Sequence, residues 1–455
     1  MAYYILKSYR FNGDCFSLFS ALKDQAYPFF LDSSIKGSKP LGRYSFFGCN
    51  PFYILKAKGR DPFPELRELL NNYKIAPLNK IAPFLSGAVG YLTYDLGFLW
   101  NKKFSRKIKD GWDIPDCLFG FYDTIIICDH FKKTLYLFSS GLPEVKHHLA
   151  KSRAQMRFKE MLKLICRWNA KKRPSLAEKI TSPAAAVSSN FTREKYIEAI
   201  KKAKDYIKKG DIYQVNLSQR FSAKNRLSGY ETYGRLRALS PSCFSAYFDC
   251  GEYQIISSSP ERFLNVTGKI VNTRPMKGTR PRSQDRRKDQ RLKKELLESV
   301  KDKAELLMIV DLERNDLGRV CNYGSVKIER LRQLEYYQTV FQTTASVRGV
   351  LHKDRDRIDL IKACFPGGSV TGCPKIRAME IIEELEPTRR SIYTGSLGYL
   401  SFTGGMDLNI LIRTILKKQD TVYFQAGGGI VADSNPQDEY EETLAKAKAM
   451  IDAIS

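Results

Sequence analysis

Four acidic residues form two pairs whose spacing suits a metal site. Asp302 and Glu305 lie three residues apart in VKDKAELLMIV, and Glu439 and Glu442 lie three apart in PQDEYEETLAK. Residues at this spacing share one face of a helix. Two such helices could bring four carboxylates onto one Mg²⁺, a hard cation that takes oxygen ligands. Each pair also has an ordinary explanation. Glu439 and Glu442 could lie in the first turn of a helix, where acidic residues are favoured. Asp302 and Glu305 could lie on a solvated helix face with lysine partners.

One lysine stands in an unusual local setting. The stretch NTRPMKGTRPR, residues 272–282, places Lys277 next to a glycine, between two prolines and among arginines. A lysine amine can act as a nucleophile, although the local composition alone favours a surface lysine. Glu261 follows a proline at the end of an apolar run in SSSPERF. That position suits a general acid and equally an ordinary charge at the end of a strand.

Other chemistries have weak support in the sequence. The four histidines (130, 147, 148 and 352) have no carboxylate or cysteine at ligand spacing. Two glycine-rich segments, FPGGSVTG and QAGGGIVAD, are predicted to be turns whose backbone N–H groups could face an anion. Neither has the strand–GxGxxG–helix pattern or the GxxxxGK[ST] pattern, so a nucleotide cofactor is not indicated. A structural role is the simpler interpretation of each turn taken alone.

The chain is strongly basic, with 455 residues and a formal net charge of +26. Three interpretations stand beside one another: a general lysine bias, steering of an anionic small substrate, and nucleic-acid binding. The basic residues are spread along the chain without a long block or a nucleic-acid module. We therefore expect no nucleic-acid partner.

The sequence favours a cytoplasmic protein. The beginning of the chain has no signal-peptide pattern, and no apolar run approaches the length of a membrane helix. The ten cysteines are scattered and form no CxxC pair, which argues against a zinc or redox motif. Cys128 lies in the apolar run DTIIICDH and is predicted to be a free core thiol. A reducing compartment follows from this cysteine usage.

The chain is predicted to have two regions, 1–168 and 192–455, joined by a linker rich in Pro, Ser, Ala and Lys at 169–191. Apolar spacing predicts helices near 63–73, 146–166, 193–209 and 438–453, and one long charged helix over 285–309. Thr192 is a suitable N-cap and Gly210 a suitable end for the third of these helices. Strand-like runs without regular βαβ alternation favour the α+β class.

Eight segments, read together, resemble a known family. The chain is similar to the chorismate-utilising enzymes, which include component I of anthranilate synthase and of aminodeoxychorismate synthase, isochorismate synthase and salicylate synthase. The matching segments are GDIYQVNLSQRF (210–221), SSPERF (258–263), RPMKGTRPR (274–282), KDKAELLMIVDLERNDLGRV (301–320), FPGGSVTGCPKIRAMEIIEELEP (365–387), YTGSLGYLSF (393–402), IRT (412–414) and QAGGGIVADS through EYEET (425–443). They cover most of the C-terminal half in family order, and residues 1–168 match more loosely.

This resemblance implies a fold and a site. The fold would be two large antiparallel β-sheets packed as a sandwich, with helices outside and the active site in the cleft between the sheets. Glu305 and Glu442 would bind Mg²⁺, with Asp302 and Glu439 beside them, and Mg²⁺ would hold the ring carboxylate of chorismate. The positions that match other substrate contacts are Gly278, Thr279, Tyr393, Arg413, Gly427, Gly428, Gly429 and Lys446.

Two positions indicate a branch of the family. Gln214 stands where the isochorismate and salicylate branches carry a water-activating lysine, so ammonia is the expected nucleophile. Lys277 and the segment CFSAYF at 243–248 resemble the aminodeoxychorismate branch more than the anthranilate branch, which remains the alternative. By resemblance, Lys277 would attack the ring and Glu261 would act as general acid in para-aminobenzoate and folate synthesis. A separate glutamine amidotransferase subunit would supply the ammonia.

A second ligand is suggested in the N-terminal half. The segments LDSS at 31–34 and GRYSFF at 42–47 resemble the tryptophan-binding region of the family. Ser33 is the expected contact. A bound tryptophan in this family can be structural or inhibitory, and the sequence leaves both readings open.

Overall fold

The computed structural model describes residues 3–35, 41–76, 81–100, 112–168, 186–337 and 340–455. The strands in these ranges are β1 (Tyr4–Arg10), β2 (Phe29–Asp32), β3 (Tyr44–Gly48), β4 (Tyr53–Ala57), β5 (Gly87–Leu92), β6 (Cys117–Tyr122), β7 (Thr124–Asp129), β8 (Thr134–Ser140), β9 (Ser188–Ser189), β10 (Gln214–Lys224), β11 (Phe244–Asp249), β12 (Gln254–Ser259), β13 (Arg262–Thr267), β14 (Ile270–Arg274), β15 (Met276–Pro281), β16 (Lys327–Tyr336), β17 (Val340–Val350), β18 (Gly372–Cys373), β19 (Ser396–Ser401), β20 (Met406–Asn409), β21 (Thr414–Lys418) and β22 (Thr421–Ile430).

The helices in the same ranges surround these strands. They are α1 (Cys15–Phe19), α2 (Phe63–Asn72), α3 (His147–Cys166), α4 (Arg193–Lys208), α5 (Gly229–Leu239), α6 (Arg286–Glu298), α7 (Val300–Gly318), α8 (Arg357–Cys364), α9 (Lys375–Leu385) and α10 (Pro436–Ile454). Among the described residues, no helix is both long enough and apolar enough to cross a membrane.

The strands form two antiparallel sheets. Counted over the described residues, the large sheet has 12 strands in the order β1-β8-β7-β3-β2-β11-β12-β21-β22-β10-β18, with β9 beside β10. The small sheet, counted over the same residues, has 10 strands in the order β15-β17-β14-β13-β20-β19-β5-β6-β4, with β16 beside β17. An antiparallel strand with alternating apolar and polar residues usually buries only one face. In this protein many strands are covered on both faces, by the other sheet on one side and by helices on the other.

Aromatic side chains join the two sheets face to face. Phe46 of the large sheet and Tyr399 of the small sheet have ring centroids 5.8 Å apart, and the Tyr91 and Tyr253 hydroxyls lie 2.5 Å apart across the same layer. Helices α2, α7 and α8 pack on the outer face of the small sheet, and α3, α4, α5, α9 and α10 on that of the large sheet. The predicted α+β sandwich with outer helices is therefore confirmed.

Both sheets draw strands from the two regions on either side of the predicted linker. The large sheet pairs β2 with β11, and the small sheet pairs β5 with β19. The pairing of Phe30 with Tyr247 joins positions 217 residues apart, so neither region alone contains all the strands of this sheet. Most of the linker, residues 169–185, lies outside the described ranges.

Helix ends agree with the sequence in one case and differ in another. Helix α4 begins after Thr192, whose hydroxyl accepts a hydrogen bond from the Lys195 N–H, as the capping preference predicts. The single helix predicted over 285–309 is wrong, because the chain bends at Ser299 between α6 and α7. The Ser299 hydroxyl accepts from the Asp302 N–H at 3.1 Å and caps the second helix. Helix periodicity alone cannot show this break, since both segments are rich in good helix formers.

Cys128 is not a free thiol, so the cysteines do not support the expected reducing compartment. It forms a disulfide bond with Cys15, at the start of α1. The two residues are 113 positions apart in the chain, and both are buried. Sequence spacing could not reveal this pair, because the packing of α1 against β7 brings the two side chains together.

Candidate active site

Lys277 reaches from the small sheet to the large sheet at a β-bulge. The register of β15 against β17 shifts between Lys277 and Thr279, and Gly278 between them has φ +76°. Bulges redirect side chains and are common beside active sites. A Cβ added at Gly429 of β22 would lie 3.3 Å from Lys277 Nζ and 2.5 Å from Gln214 Nε2. The absence of a side chain at Gly429 thus leaves a space that both the lysine amine and the glutamine amide border.

The Gln214 amide is buried beside this space. Its side chain is fully buried in β10, and neither Nε2 nor Oε1 has a hydrogen-bond partner among the described residues. A buried amide without partners is unfavourable. The amide can therefore bind the polar groups of a ligand that enters between Gln214 and Lys277.

Glu261 is a buried carboxyl group in the same region. It immediately precedes β13, is 4% exposed, and its Oε1 has no hydrogen-bond partner among the described residues. Burial raises the pKa of Glu261 to about 7, while the Ser369 hydroxyl and the Lys277 ammonium act in the opposite direction. A carboxyl group with this pKa is partly protonated at neutral pH and can donate its proton.

The structure brings the two predicted acid pairs together. Helix α7 carries Asp302 and Glu305, and α10 carries Glu439 and Glu442. A Cβ added at Gly428 would lie 2.9 Å from Glu439 Oε2 and 3.6 Å from Glu442 Oε1. Glycine at this position therefore lets both carboxylates of α10 approach the strand.

Burial, more than repulsion between carboxylates, raises the pKa of two of these acids. Burial raises the pKa of Glu305, and the negative charges of Asp302 and Glu442 raise it further, whereas Lys277 and Lys301 oppose the shift. Burial also raises the pKa of Glu439. Carboxylates held against one another in this way favour a bound cation.

Lysines already neutralise part of the acidic cluster. Lys446 Nζ lies 2.6 Å from Glu442 Oε1 and donates to the Gly427 carbonyl at 2.9 Å. Although burial acts in the opposite direction, Lys446 holds the pKa of Glu442 below its usual value. Lys301 Nζ lies 3.9 Å from Glu439 Oε1. Lys446 thus contacts the acidic cluster as well as the strand expected to bind substrate.

The acidic residues fit Mg²⁺ better than they fit a metal ion whose ligands all come from protein side chains. Among the described residues, no group of three or more His, Cys, Asp or Glu side chains has the geometry of a metal site. Mg²⁺ keeps several waters and commonly uses only one or two carboxylates. Glu305 and Glu442 could supply those two, with Asp302 and Glu439 nearby. The space left by Gly428 is consistent with this fit.

Gly427, Gly428 and Gly429 lie in a strand, which corrects the predicted turn. They form the end of β22 and pair with Ser218, Leu217 and Asn216 of β10. On the other side, β21 pairs with β22 only as far as Phe424. The residues described here place no strand beside that edge at the glycines, so backbone N–H groups there are available to an anion. The sequence pattern missed the strand because glycine is unfavourable in strands.

The structure describes the environments of three further predicted substrate contacts, Arg413, Tyr393 and Thr279. Arg413, between β20 and β21, has φ +50° and donates to the Ser240 hydroxyl at 3.3 Å. Burial lowers the pKa of Arg413, and within the described ranges no carboxylate forms an ion pair with it. Tyr393 is buried in a turn before β19, with its ring centroid 5.6 Å from the Arg390 guanidinium. Thr279 is exposed on β15.

Ser33 lines a separate cavity of about 280 Å³ between the sheets. The walls include Phe46, Ala246, Tyr399 and the Arg262–Asp407 ion pair, whose Nη2 and Oδ2 atoms lie 2.8 Å apart. The Ser33 hydroxyl lies 2.9 Å from the Tyr44 carbonyl. Lys277 and Glu261 are not among the lining residues, so the cavity is distinct from the candidate active site.

Two residues of the site were missed in the sequence. Lys301 lies beside the acidic residues. It precedes Glu305 by four residues, a spacing that places both side chains on one helix face and could have revealed its position. Ser369 lies next to Glu261 because a short 3₁₀ turn, Gly368–Val370, packs there. Nothing in the local sequence around Ser369 signals this contact, since it depends on tertiary packing.

Comparison with known proteins shows the family to which this chain belongs. The model of a family described as chorismate binding enzyme matches residues 27–452. The chain therefore belongs to the chorismate binding enzyme family. Among solved structures, anthranilate synthase component I from Streptococcus pneumoniae superposes with a TM-score of 0.79 at 33% identity, covering 92% of this chain and 94% of that one.

Curated relatives come from two branches of the family. An anthranilate synthase component 1 from Acetivibrio thermocellus is 37% identical, with 96% of this chain and 92% of the relative covered. An aminodeoxychorismate synthase component 1 from Bacillus subtilis is 36% identical, with 91% and 89% covered. The chain is therefore an enzyme that acts on chorismate. Its sequence identity to relatives of the two activities is nearly equal, so identity does not decide between the activities.

Proposed function

We propose that the protein is component I of aminodeoxychorismate synthase, which converts chorismate and ammonia to 4-amino-4-deoxychorismate. The observation that carries the proposal is the placement of Lys277, whose amine faces Gln214 across the space left open by Gly429. A nucleophilic lysine allows a covalent intermediate. A glutamine at the opposing position cannot act as the base for water, which favours ammonia as the nucleophile.

Substrate binding would use charges on both sheets. Mg²⁺ bound at Glu305 and Glu442 would neutralise the ring carboxylate of chorismate. The Arg413 guanidinium, which forms no ion pair with any described carboxylate, would bind the second carboxylate through a planar fork. Tyr393 and the free backbone edge of residues 427–429 would complete that contact. Exclusion of water between the sheets would strengthen each of these interactions.

The reaction follows from the positions of Lys277 and Glu261. The lysine amine forms a bond to ring C2 while the C4–O bond breaks, and Glu261 donates its proton so that the hydroxyl leaves as water. Ammonia then bonds to C4 as the C2–N bond to Lys277 breaks. The lysine nitrogen keeps both of its protons while it is bonded to C2, as a positively charged ammonium, and leaves as the neutral amine. Glu261 regains a proton from the nitrogen that ammonia brings to C4. The net change is the exchange of a hydroxyl for an amine.

The proposal includes partners beyond chorismate. A separate glutamine amidotransferase subunit would supply ammonia, as the component 1 names of the relatives suggest. The cavity at Ser33, with its aromatic walls and buried ion pair, would take a free amino acid such as tryptophan. We place the protein in the cytoplasm, in the synthesis of para-aminobenzoate and folate.

The product identifies the reaction. Purified protein incubated with chorismate, MgCl₂ and an ammonium salt is expected to form 4-amino-4-deoxychorismate, measured by liquid chromatography and mass spectrometry. Lys277→Ala should lower this rate by roughly 10³-fold or more, as loss of a catalytic nucleophile does. Anthranilate as the product, with an unaffected Lys277→Ala variant, would instead establish the anthranilate activity of the other relatives.

A further inference from the structure

Ser434 holds one oxygen of Glu439 in place. Ser434 is 1% exposed and lies in the turn between β22 and α10. Its hydroxyl donates to Glu439 Oε1 at 2.7 Å and accepts from the Val431 N–H at 3.1 Å. The Ser434 N–H in turn donates to the Val431 carbonyl at 3.0 Å. The Val431 N–H donates to one lone pair of the Ser434 oxygen and fixes the turn. The single proton of the hydroxyl is therefore directed to Glu439.

A lysine from another helix fixes the same turn. Lys204 of α4 is half-buried, and its Nζ donates to the Ser434 carbonyl at 2.6 Å. Among the described residues, Lys204 forms no hydrogen bond or ion pair with the acidic residues themselves, so its influence on Glu439 passes through Ser434. Helix α4, Ser434 and Glu439 therefore form a continuous set of contacts that ends at the acidic cluster.

The second oxygen of Glu439 is left free. Oε2 is the atom that a Cβ at Gly428 would approach to 2.9 Å, and no hydrogen bond from the described residues reaches it. With Oε1 held by Ser434, the carboxylate cannot rotate without breaking that bond. Oε2 therefore faces the space shared with Glu442.

We propose that Ser434, supported by Lys204, is a positioning residue that orients Glu439 toward the cation of the acidic cluster. This inference rests on the proposed Mg²⁺ site. Partners that orient metal-binding side chains typically change metal affinity about 10- to 100-fold when they are removed. Neither Ser434 nor Lys204 would touch the cation or chorismate.

The test measures Mg²⁺ binding directly, without turnover. Full-length protein freed of metal with EDTA is titrated with MgCl₂ by calorimetry, and the rise in Tm caused by MgCl₂ is recorded in parallel. Ser434→Ala should raise the Kd for Mg²⁺ by about tenfold or more and reduce the Mg²⁺-dependent rise in Tm. Lys204→Met should raise the Kd by a smaller factor.

A matched control separates orientation from general destabilisation. Ser139 is also a buried serine, and its hydroxyl donates to the Ala154 carbonyl at 3.1 Å, away from the acidic residues. Ser139→Ala should bind Mg²⁺ like the wild type even if its Tm in EDTA falls. A Kd for Ser434→Ala within twofold of the wild type would overturn the role of Ser434.

Two further outcomes are informative. A wild-type Kd for Lys204→Met, together with weak binding by Ser434→Ala, would overturn the role of Lys204. If the wild type itself binds no Mg²⁺ and Glu442→Gln gives the same flat titration, the proposed metal site fails and the inference fails with it. Wild-type binding that Glu442→Gln abolishes keeps the site, so the result for Ser434→Ala then decides the inference alone.

Discussion

At the scale of single residues, the site depends on a nucleophile and an acid in different environments. Lys277 is half-buried at a bulge, whereas Glu261 is almost fully buried and has an unpartnered oxygen. The lysine must reach the substrate, and the acid must keep its proton until a hydroxyl leaves. Burial serves the acid because it disfavours the charged form.

The pKa of Glu261 predicts a pH dependence. A general acid is active when protonated, and the pKa of Glu261 is raised to about 7. The value of kcat/KM for chorismate should therefore fall as the pH rises through about 7. Glu261→Gln should lower kcat by about 10²- to 10⁴-fold and remove this alkaline limb from the residual activity. A residual rate with the same alkaline limb would assign it to another group.

Residue types and spacing predicted which helices carry the acidic residues. The structure has Asp302 and Glu305 on α7, and Glu439 and Glu442 on α10. The α10 pair lies beside Gly428 of β22, and Asp302 lies beside Gly278 of β15. The approach of Gln214 and Lys277 to the same space at Gly429 could not be predicted from spacing, because it depends on a bulge in one sheet and a glycine in the other. The free edge of the glycine strand was likewise hidden, since three glycines in a row favour a turn.

At the scale of elements, the bulge at Gly278 connects the lysine strand to the acid helix. Its φ of +76° suits glycine, and an added Cβ would lie 2.9 Å from Leu296 Cδ1 and 3.0 Å from Asp302 Cγ. Both the backbone conformation and the packing of α7 against β15 therefore require glycine. The bulge sets the distance between Lys277 and the first acid pair.

Alanine substitutions separate these two requirements. Gly268 has φ +62° in the turn after β13, with no atom within 4 Å of an added Cβ. Gly268→Ala should cost only the left-handed strain, about 1 kcal/mol. Gly278→Ala should cost more and also weaken Mg²⁺ binding, because Asp302 must move. Urea unfolding and calorimetry measure both effects, and equal unfolding costs with unchanged Mg²⁺ affinity would contradict the packing argument.

At the scale of the whole molecule, each sheet contains strands from both sequence regions, 1–168 and 192–455. The α+β class was predicted from strand-like runs without regular βαβ alternation, and the family resemblance supplied the sandwich with its outer helices. The order of strands was not predictable from local patterns, because pairings such as β5 with β19 join distant parts of the chain. The disulfide between Cys15 and Cys128 is long-range in the same sense.

This interleaving predicts how fragments behave. Residues 1–168 and 186–455 expressed separately should each be insoluble or unfold without cooperativity, because each lacks strands that fill its sheets. Co-expression should restore a soluble complex, measured by size-exclusion chromatography and thermal unfolding. Cooperative unfolding of fragment 186–455 alone would show that its part of the sandwich is independent.

The covalent role of Lys277 is the central claim for the molecule as a catalyst. It can be tested by peptide mass spectrometry on protein quenched in acid during incubation with chorismate and MgCl₂ without ammonia. The expected result is a mass increase equal to chorismate less one water on the peptide that contains Lys277. An unmodified Lys277, together with undiminished amination by Lys277→Ala, would contradict the account.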